Sequence, residues 1–90
     1  MPYNVFKRGK RKGEPKTLRD RVIRYLEDYL ECKQEDTKSK RYLKYSDDVR
    51  NFWVGRTGSV RIGKAATWSI SITDKFHKDM ENWEKKEGLV

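Results

Sequence analysis

The strongest structural signal in this chain is an amphipathic segment that begins at Thr17. Thr17-Leu18-Arg19-Asp20 fits a capping box, in which a hydroxyl and a carboxylate satisfy the free amides at a helix start. The apolar side chains of the segment recur every three or four residues: Leu18, Val22, Ile23, Leu26, Tyr29 and Leu30. This spacing places them on one helix face. We therefore predict a helix from Thr17 to about Lys33 as the main element of the core.

Size and composition limit what this helix can pack against. The chain has 90 residues, of which 34% are hydrophobic and 40% are charged, so we expect one domain with a small core. Residues 1–16 combine glycine and proline with many cations, a composition that predicts a flexible basic arm. Residues 17–90 are then the single folded domain.

A short second helix is predicted over residues 46–54. Ser46 is a suitable N-cap, and the two aspartates that follow it favour the positive end of a helix dipole. Val49, Phe52 and Trp53 then share one face, and Gly55 ends the helix. The preceding residues 40–45 fit either a short strand or a helical turn.

Two strands and a last helix are predicted for the remainder. Val60 and Ile62 alternate with polar residues, and residues 68–72 show the same alternation of apolar and polar side chains. Two strands that form a hairpin, with its turn around residues 63–65, are therefore expected. A helix capped by Ser59 is the alternative, against which the central Gly63 weighs. Thr73 then caps a helix over residues 74–87. The expected fold is α+β, a small single domain with three or more helices and a basic β-hairpin.

Residues 58–64 read Gly-Ser-Val-Arg-Ile-Gly-Lys, which nearly completes a phosphate-binding loop. Such a loop needs Ser or Thr after the lysine to bind magnesium, and Ala65 has no hydroxyl. The segment also lacks the strand–loop–helix setting of a nucleotide site. A nucleotide hydrolase is therefore not expected.

Other catalytic and metal-binding arrangements find equally little support. Cys32 and His77 are the only residues of their types, so a zinc site is not expected. Asp47 and Asp48 are adjacent and would point in different directions on a helix, which excludes a paired acid and base there. We predict that the protein is not an enzyme and that it uses no cofactor and no small-molecule substrate.

The net charge of +8 is concentrated in two places. Residues 1–16 carry a net charge of +5 and residues 55–73 carry +3, so the rest of the chain sums to zero. Cations grouped in this way suit an extended polyanion, because neutralising phosphates releases counterions. Nucleic acid is therefore the expected partner, and a membrane is not, since no helix combines a basic face with a continuous apolar one. The chain begins without a signal peptide, so an intracellular location is expected.

The order of a leading helix, a short second helix and a basic hairpin resembles the winged-helix group of DNA-binding domains. The resemblance covers residues 17–73 and rests on element order and charge. Small proteins of archaea and their viruses often look like this. The resemblance implies a duplex-DNA-binding transcriptional regulator, commonly a homodimer, with a recognition helix over residues 46–54 and a wing at the hairpin. The acidic start of that helix departs from the usual pattern, because phosphates would repel it.

Eleven residues are therefore predicted to contact nucleic acid. The arm supplies Arg8, Lys10, Arg11 and Lys12; the segment before the second helix supplies Lys40 and Arg41; the second helix supplies Arg50 and Asn51; and the hairpin region supplies Arg56, Arg61 and Lys64. Arginine suits guanine and asparagine suits adenine, so Arg50 and Asn51 are the candidates for base contact.

Two other functions fit the same residues. A non-specific DNA- or RNA-binding protein is indicated by Tyr42 and Tyr45, which lie among lysines and arginines as in binders of single strands. A protein-interaction module would use the basic hairpin against an acidic partner. The large rings Trp53, Trp68, Phe76 and Trp83 are expected in the core rather than on a base-stacking surface.

Overall fold

A computed structural model of the chain describes residues 5–10, 12–35, 41–63 and 70–89. Their elements are, in chain order, helix α1 (Leu18–Arg24), a π-helical segment that continues it (Tyr25–Tyr29), strands β1 (Lys33–Glu35), β2 (Tyr42–Ser46), β3 (Asn51–Gly55), β4 (Val60–Gly63) and β5 (Ile70–Ser71), and helix α2 (Thr73–Lys86). None of the helices in these residues is long and apolar enough to cross a membrane.

Helix α1 begins where the sequence predicts. The Asp20 backbone N–H donates to the Thr17 hydroxyl oxygen at 3.1 Å, and that hydroxyl donates to the Asp20 carboxylate at 2.8 Å. The helix ends earlier than predicted, because its last turn widens into the π-helical segment and Glu31 then adopts a positive φ of 54°. Lys33 consequently belongs to strand β1.

The prediction of three or more helices is wrong for the described residues, which hold α1 with its π-helical continuation and α2. Residues 46–54 form a turn and a strand instead of a helix. The Asp47 carboxylate accepts hydrogen bonds from the backbone N–H groups of Val49 and Arg50, at 2.8 and 2.7 Å, and these bonds close the turn. Phe52 and Val54 then follow a two-residue period, which suits the buried face of β3.

The five strands form one antiparallel sheet in the order β1-β2-β3-β4-β5. Residues 42–46, for which the sequence left strand and turn open, are strand β2. The predicted hairpin is confirmed as far as it is described, because Ile62 pairs with Ile70 and Arg61 with Ser71. Of the predicted turn around residues 63–65, Lys64 and Ala65 lie outside the described residues. The last helix is also confirmed as α2, but Thr73 is its first residue and does not cap it, since the Thr73 hydroxyl donates to the Val60 carbonyl at 3.2 Å.

Both helices pack on one face of the sheet. Within the core, α1 and its π-helical continuation supply Val22, Ile23, Tyr25 and Leu26, α2 supplies Phe76 and Met80, and the sheet supplies Tyr45, Phe52, Val54 and Val60. The fold therefore has two layers. One face of the sheet meets the helices, and the other carries neither of the described helices.

A buried carboxylate joins the two helices. Glu84 of α2 accepts hydrogen bonds from Arg21, at 3.1 and 2.5 Å, and from Arg24, at 2.6 Å. The hydrogen bonds to Glu84 raise the pKa of Arg21 further above its ordinary value. These three side chains fix the α1–α2 contact through charge as well as packing.

Candidate nucleic-acid interface

One row of side chains crosses the sheet on the face opposite the core. Register pairs Glu35 with Lys44, Lys44 with Trp53, Trp53 with Arg61 and Arg61 with Ser71. Side chains alternate along a strand, so these residues face away from the buried Phe52 and Val54. We call this surface the open face; it carries Lys33, Glu35, Tyr42, Lys44, Ser46, Asn51, Trp53, Arg61 and Ser71.

Trp53 lies at the centre of the open face between two cations. Lys44 is directly opposite it on β2 and Arg61 is directly opposite it on β4. The Lys44 ammonium lies 5.9 Å from the centre of the Trp53 ring, a distance at which a cation and an aromatic ring attract each other. The ring is half-buried, and its place on this face contradicts the expectation that it belongs to the core.

Tyr42 adds a second ring to the open face and is 40% exposed. It pairs with Gly55, and a Cβ on that glycine would lie 3.7 Å from the Tyr42 ring and would collide with the Ser59 hydroxyl. The glycine therefore makes room for the Ser59 hydroxyl beside β3, whereas the Tyr42 ring lies at ordinary van der Waals distance. Tyr42 is the diagonal neighbour of Trp53, so the two rings share one part of the face.

Tyr45 lies on the other side of the sheet. It is fully buried, and burial raises the pKa of its phenol to about 12. Of the two tyrosines that indicated a binder of single strands, Tyr45 is therefore part of the core and Tyr42 is on the open face. The two residues are three apart, which places them on opposite faces of a strand.

The open face is basic in the described residues. Its strands carry Lys33, Lys44 and Arg61 against Glu35 alone. The Lys44 ammonium lies 3.1 Å from the Glu35 carboxylate, which is near the β1 edge. With three cations and one carboxylate, the described strands therefore carry a net charge of +2, and one cation lies directly opposite Trp53 on each neighbouring strand.

Further cations lie at the end of the sheet where Tyr42 begins β2. Arg41 precedes it, Arg56 follows β3, and both are exposed. The turn after Arg56 rests on Gly58, whose φ is +88° and where a Cβ would lie 2.8 Å from Leu18. The start of α1, and with it the basic N-terminal segment, therefore joins the domain at this same end.

The N-terminal segment contains hydrogen bonds of its own. The Phe6 N–H donates to the Glu14 carbonyl at 2.9 Å, and the Gly13 N–H donates to the Phe6 carbonyl at 2.8 Å. Arg8, Lys10 and Lys12 are exposed around this turn. Three other nominated residues, Arg11, Lys40 and Lys64, lie outside the described residues, as does Trp68.

Arg50 and Asn51 do not lie on a recognition helix, because residues 46–54 form none. The Arg50 guanidinium donates to the Asp47 carboxylate at 3.2 and 2.9 Å and lies over the Phe52 ring. Burial alone would raise the pKa of Asp47, but its hydrogen bonds from Val49 and Arg50 outweigh that effect and lower it. Arg50 therefore holds the β2–β3 turn, while Asn51 lies at one end of the open face.

Three residues of this candidate interface, Trp53, Lys44 and Lys33, were not predicted from the sequence. The signal was present in Phe52-Trp53-Val54, because a two-residue period puts the tryptophan opposite its two neighbours. Reading the segment at helical spacing grouped Trp53 with Phe52 instead.

No group of three or more His, Cys, Asp or Glu side chains within the described ranges could hold a metal ion. Cys32 is buried, and burial raises the pKa of its thiol to about 11. Gly58 to Gly63 of the near-match to a phosphate-binding loop lie in the β3–β4 turn and strand β4, whose residues 60–63 are extended, and Lys64 lies outside the described residues.

Comparison with known proteins gives no family for the chain: no family model, no curated protein and no solved structure matches it.

Proposed function

We propose that this protein binds nucleic acid and that the open face of its sheet is the contact surface. The observation that carries the proposal is the row Lys44, Trp53 and Arg61, in which an aromatic ring lies between two cations on neighbouring strands. Aromatic rings with interleaved cations are the side chains that nucleic-acid-binding surfaces use for bases and phosphates.

Charge supports the same partner. The chain carries a net charge of +8, and exposed Arg41 and Arg56 lie at the Tyr42 end of the sheet. Each cation that neutralises a phosphate releases condensed counterions, and this release supplies most of the affinity for a polyanion. The recognition helix that a winged-helix regulator requires is replaced by a turn and a strand. The proposal therefore rests on the sheet and not on a helix.

A salt titration of a double variant tests the proposal. Lys44→Gln with Arg61→Gln removes the two cations beside Trp53, and Lys78→Gln with Lys85→Gln removes two exposed cations from α2 as a matched control. Binding of fluorescein-labelled oligonucleotides is measured by anisotropy at several salt concentrations. Each lost phosphate contact reduces the slope of log K against log salt by about 0.7 for a single strand and about 0.9 for a duplex.

The open-face double variant should therefore lose about 1.4 to 1.8 from the slope. The control variant should retain most of it, because its cations lie on the helical layer. Equal losses in the two variants would mean that net charge alone matters and would overturn the assignment to the open face. Absence of binding by the wild-type protein would overturn the function itself.

A further inference from the structure

Building on the proposed function, we infer that the ligand is an unpaired nucleic-acid strand, two of whose bases stack on Trp53 and Tyr42. The inference names the class of nucleic acid, which net charge cannot do, because single strands and duplexes both carry phosphates. It rests on three features: the width of the sheet, the spacing of the two rings and the positions of the cations.

The sheet is too wide to enter a groove of duplex DNA. Five strands at about 4.8 Å spacing extend over roughly 19 Å, whereas the major groove is about 12 Å wide. That groove admits a helix or a two-stranded ribbon. A duplex lying on this sheet would offer only its phosphates to the face, and the Trp53 ring would then meet charged backbone instead of a base.

The two rings are spaced for bases that have separated from one another. Tyr42 and Trp53 are diagonal neighbours across β2 and β3, which places them about 7 to 8 Å apart. Successive bases within a duplex strand are only about 3.4 Å apart. Two neighbouring bases can each use their own ring only when the strand is unstacked and extended, as unpaired strands allow.

The cations fit the backbone of such a strand. Lys44 and Arg61 are each one strand away from Trp53, at a cross-strand distance of about 5 Å. A base stacked on the indole ring therefore brings its sugar and phosphate within reach of a long basic side chain on either side. Arg41 and Arg56 continue this charge beyond Tyr42.

Stacking and charge give different signatures, which makes the inference testable. Loss of one stacked base lowers the affinity by roughly 5- to 150-fold. Stacking releases no counterions, so the salt slope should stay unchanged when a ring is removed. The cation variants described above change that slope.

The experiment compares an oligo-thymidine and an oligo-uridine of about 12 nucleotides with a mixed-sequence duplex of the same length, each at several salt concentrations. The variants are Trp53→Leu, Trp53→Phe and Tyr42→Leu. Tyr29→Leu is the matched control, because Tyr29 is a 55% exposed ring on the helical layer. Circular dichroism melts establish that each variant is folded.

We expect the single strands to bind at least about 10-fold more tightly than the duplex. Trp53→Leu and Tyr42→Leu should each lose roughly 5- to 150-fold in affinity for single strands, with an unchanged salt slope. Trp53→Phe should keep most of the affinity, and Tyr29→Leu should keep all of it. Single strands should also quench tryptophan fluorescence more in the wild-type protein than in Trp53→Phe, which tests stacking without a destabilising substitution.

Tighter binding of the duplex would overturn the stacking inference and leave the proposed function standing. The same conclusion would follow if Trp53→Leu kept full affinity for single strands while the cation variants showed a reduced salt slope. Quenching that is equal in the wild-type protein and in Trp53→Phe would also overturn the stacking inference. Failure of all three oligonucleotides to bind would overturn both.

Discussion

Replacing Glu84 should destabilise the protein more than any other single change of a charged side chain on α2. The residue is fully buried, and its carboxylate holds the guanidinium groups of Arg21 and Arg24. The Arg21 side chain is 30% exposed and can be rehydrated, but the Arg24 side chain is only 10% exposed. Glu84→Leu therefore leaves Arg24 as a buried charge without its partner.

The expected cost follows from that geometry. Removing one partner of a buried ion pair costs about 3 to 5 kcal/mol, and the exposure of Arg21 places Glu84→Leu near the lower end, at about 3 to 4 kcal/mol. Glu84→Gln keeps one acceptor oxygen and should cost about 2 kcal/mol. The cost of Glu84→Leu is a large part of the about 5 to 15 kcal/mol of stability that a small domain has in total. Each kcal/mol lowers the melting temperature of a domain of this size by about 4 to 8 °C, so Glu84→Leu should melt roughly 12 to 30 °C below wild type.

Urea and thermal unfolding followed by circular dichroism measure these values. Glu81→Gln is the control, because Glu81 is exposed on the same helix and its loss should change the stability by less than about 0.5 kcal/mol. A double variant, Arg24→Met with Glu84→Leu, should be more stable than Glu84→Leu alone, since no buried charge is stranded. A free energy of unfolding of Glu84→Leu within about 1 kcal/mol of the wild-type value would contradict the role of Glu84 as the partner of the buried Arg24.

Three further predictions concern single residues. Burial raises the pKa of the Cys32 thiol to about 11, so at pH 8 the fraction present as thiolate is on the order of a hundredth of that in an exposed cysteine. A disulfide reagent should therefore modify the folded protein about 100-fold more slowly than the unfolded chain. Equal rates would contradict the buried position. Gly58→Ala should cost about 1.5 to 3 kcal/mol of unfolding free energy, because it combines a positive φ with a clash against Leu18. Gly9→Ala is the control, since Gly9 has a similar φ and open space around it, and should cost only about 1 to 2 kcal/mol. Equal losses would show that the clash with Leu18 contributes nothing. Because the pKa of Asp47 is lowered in the folded protein, its contribution to stability is present above the unfolded value of about 3.9 and is lost as pH falls through the folded value. The difference in unfolding free energy between wild type and Asp47→Asn should therefore shrink below about pH 4. A difference that grows in acid would contradict the lowered pKa.

Local chemistry explains which elements the sequence could predict. The Thr17 cap uses only contacts within four residues, so the start of α1 is written into its own segment. The β4–β5 hairpin was recognisable because its strands alternate and are close in sequence. Long-range pairing was not needed for either prediction.

The error over residues 46–54 has a physical cause. An aspartate that accepts hydrogen bonds from following N–H groups is equally suited to a helix N-terminus and to a turn. Asp47 makes such bonds, and what decides for the turn is the pairing of Phe52 with Tyr45 across the hairpin. That pairing depends on the whole sheet, which the local pattern does not encode.

The charge of the candidate site and the ring of Tyr42 could be predicted from the sequence, but the place of Trp53 could not. Arg41, Arg56 and Arg61 were nominated from the sequence, and the structure exposes all three. Trp53 was assigned to the core because its face depends on whether β3 is read at the period of a helix or of a strand. Once the strand is established, the tryptophan moves to the open face between Lys44 and Arg61.

A nuclear magnetic resonance titration of the wild-type protein with a single-stranded oligonucleotide of about 12 nucleotides locates the contact surface without any substitution. The largest chemical-shift changes are expected at the Trp53 indole N–H, at Tyr42 and at the amides of Lys44 and Arg61, while the outer surface of α2 should be unaffected. Shifts concentrated on α2, or no shifts at all, would contradict the open face as the contact surface.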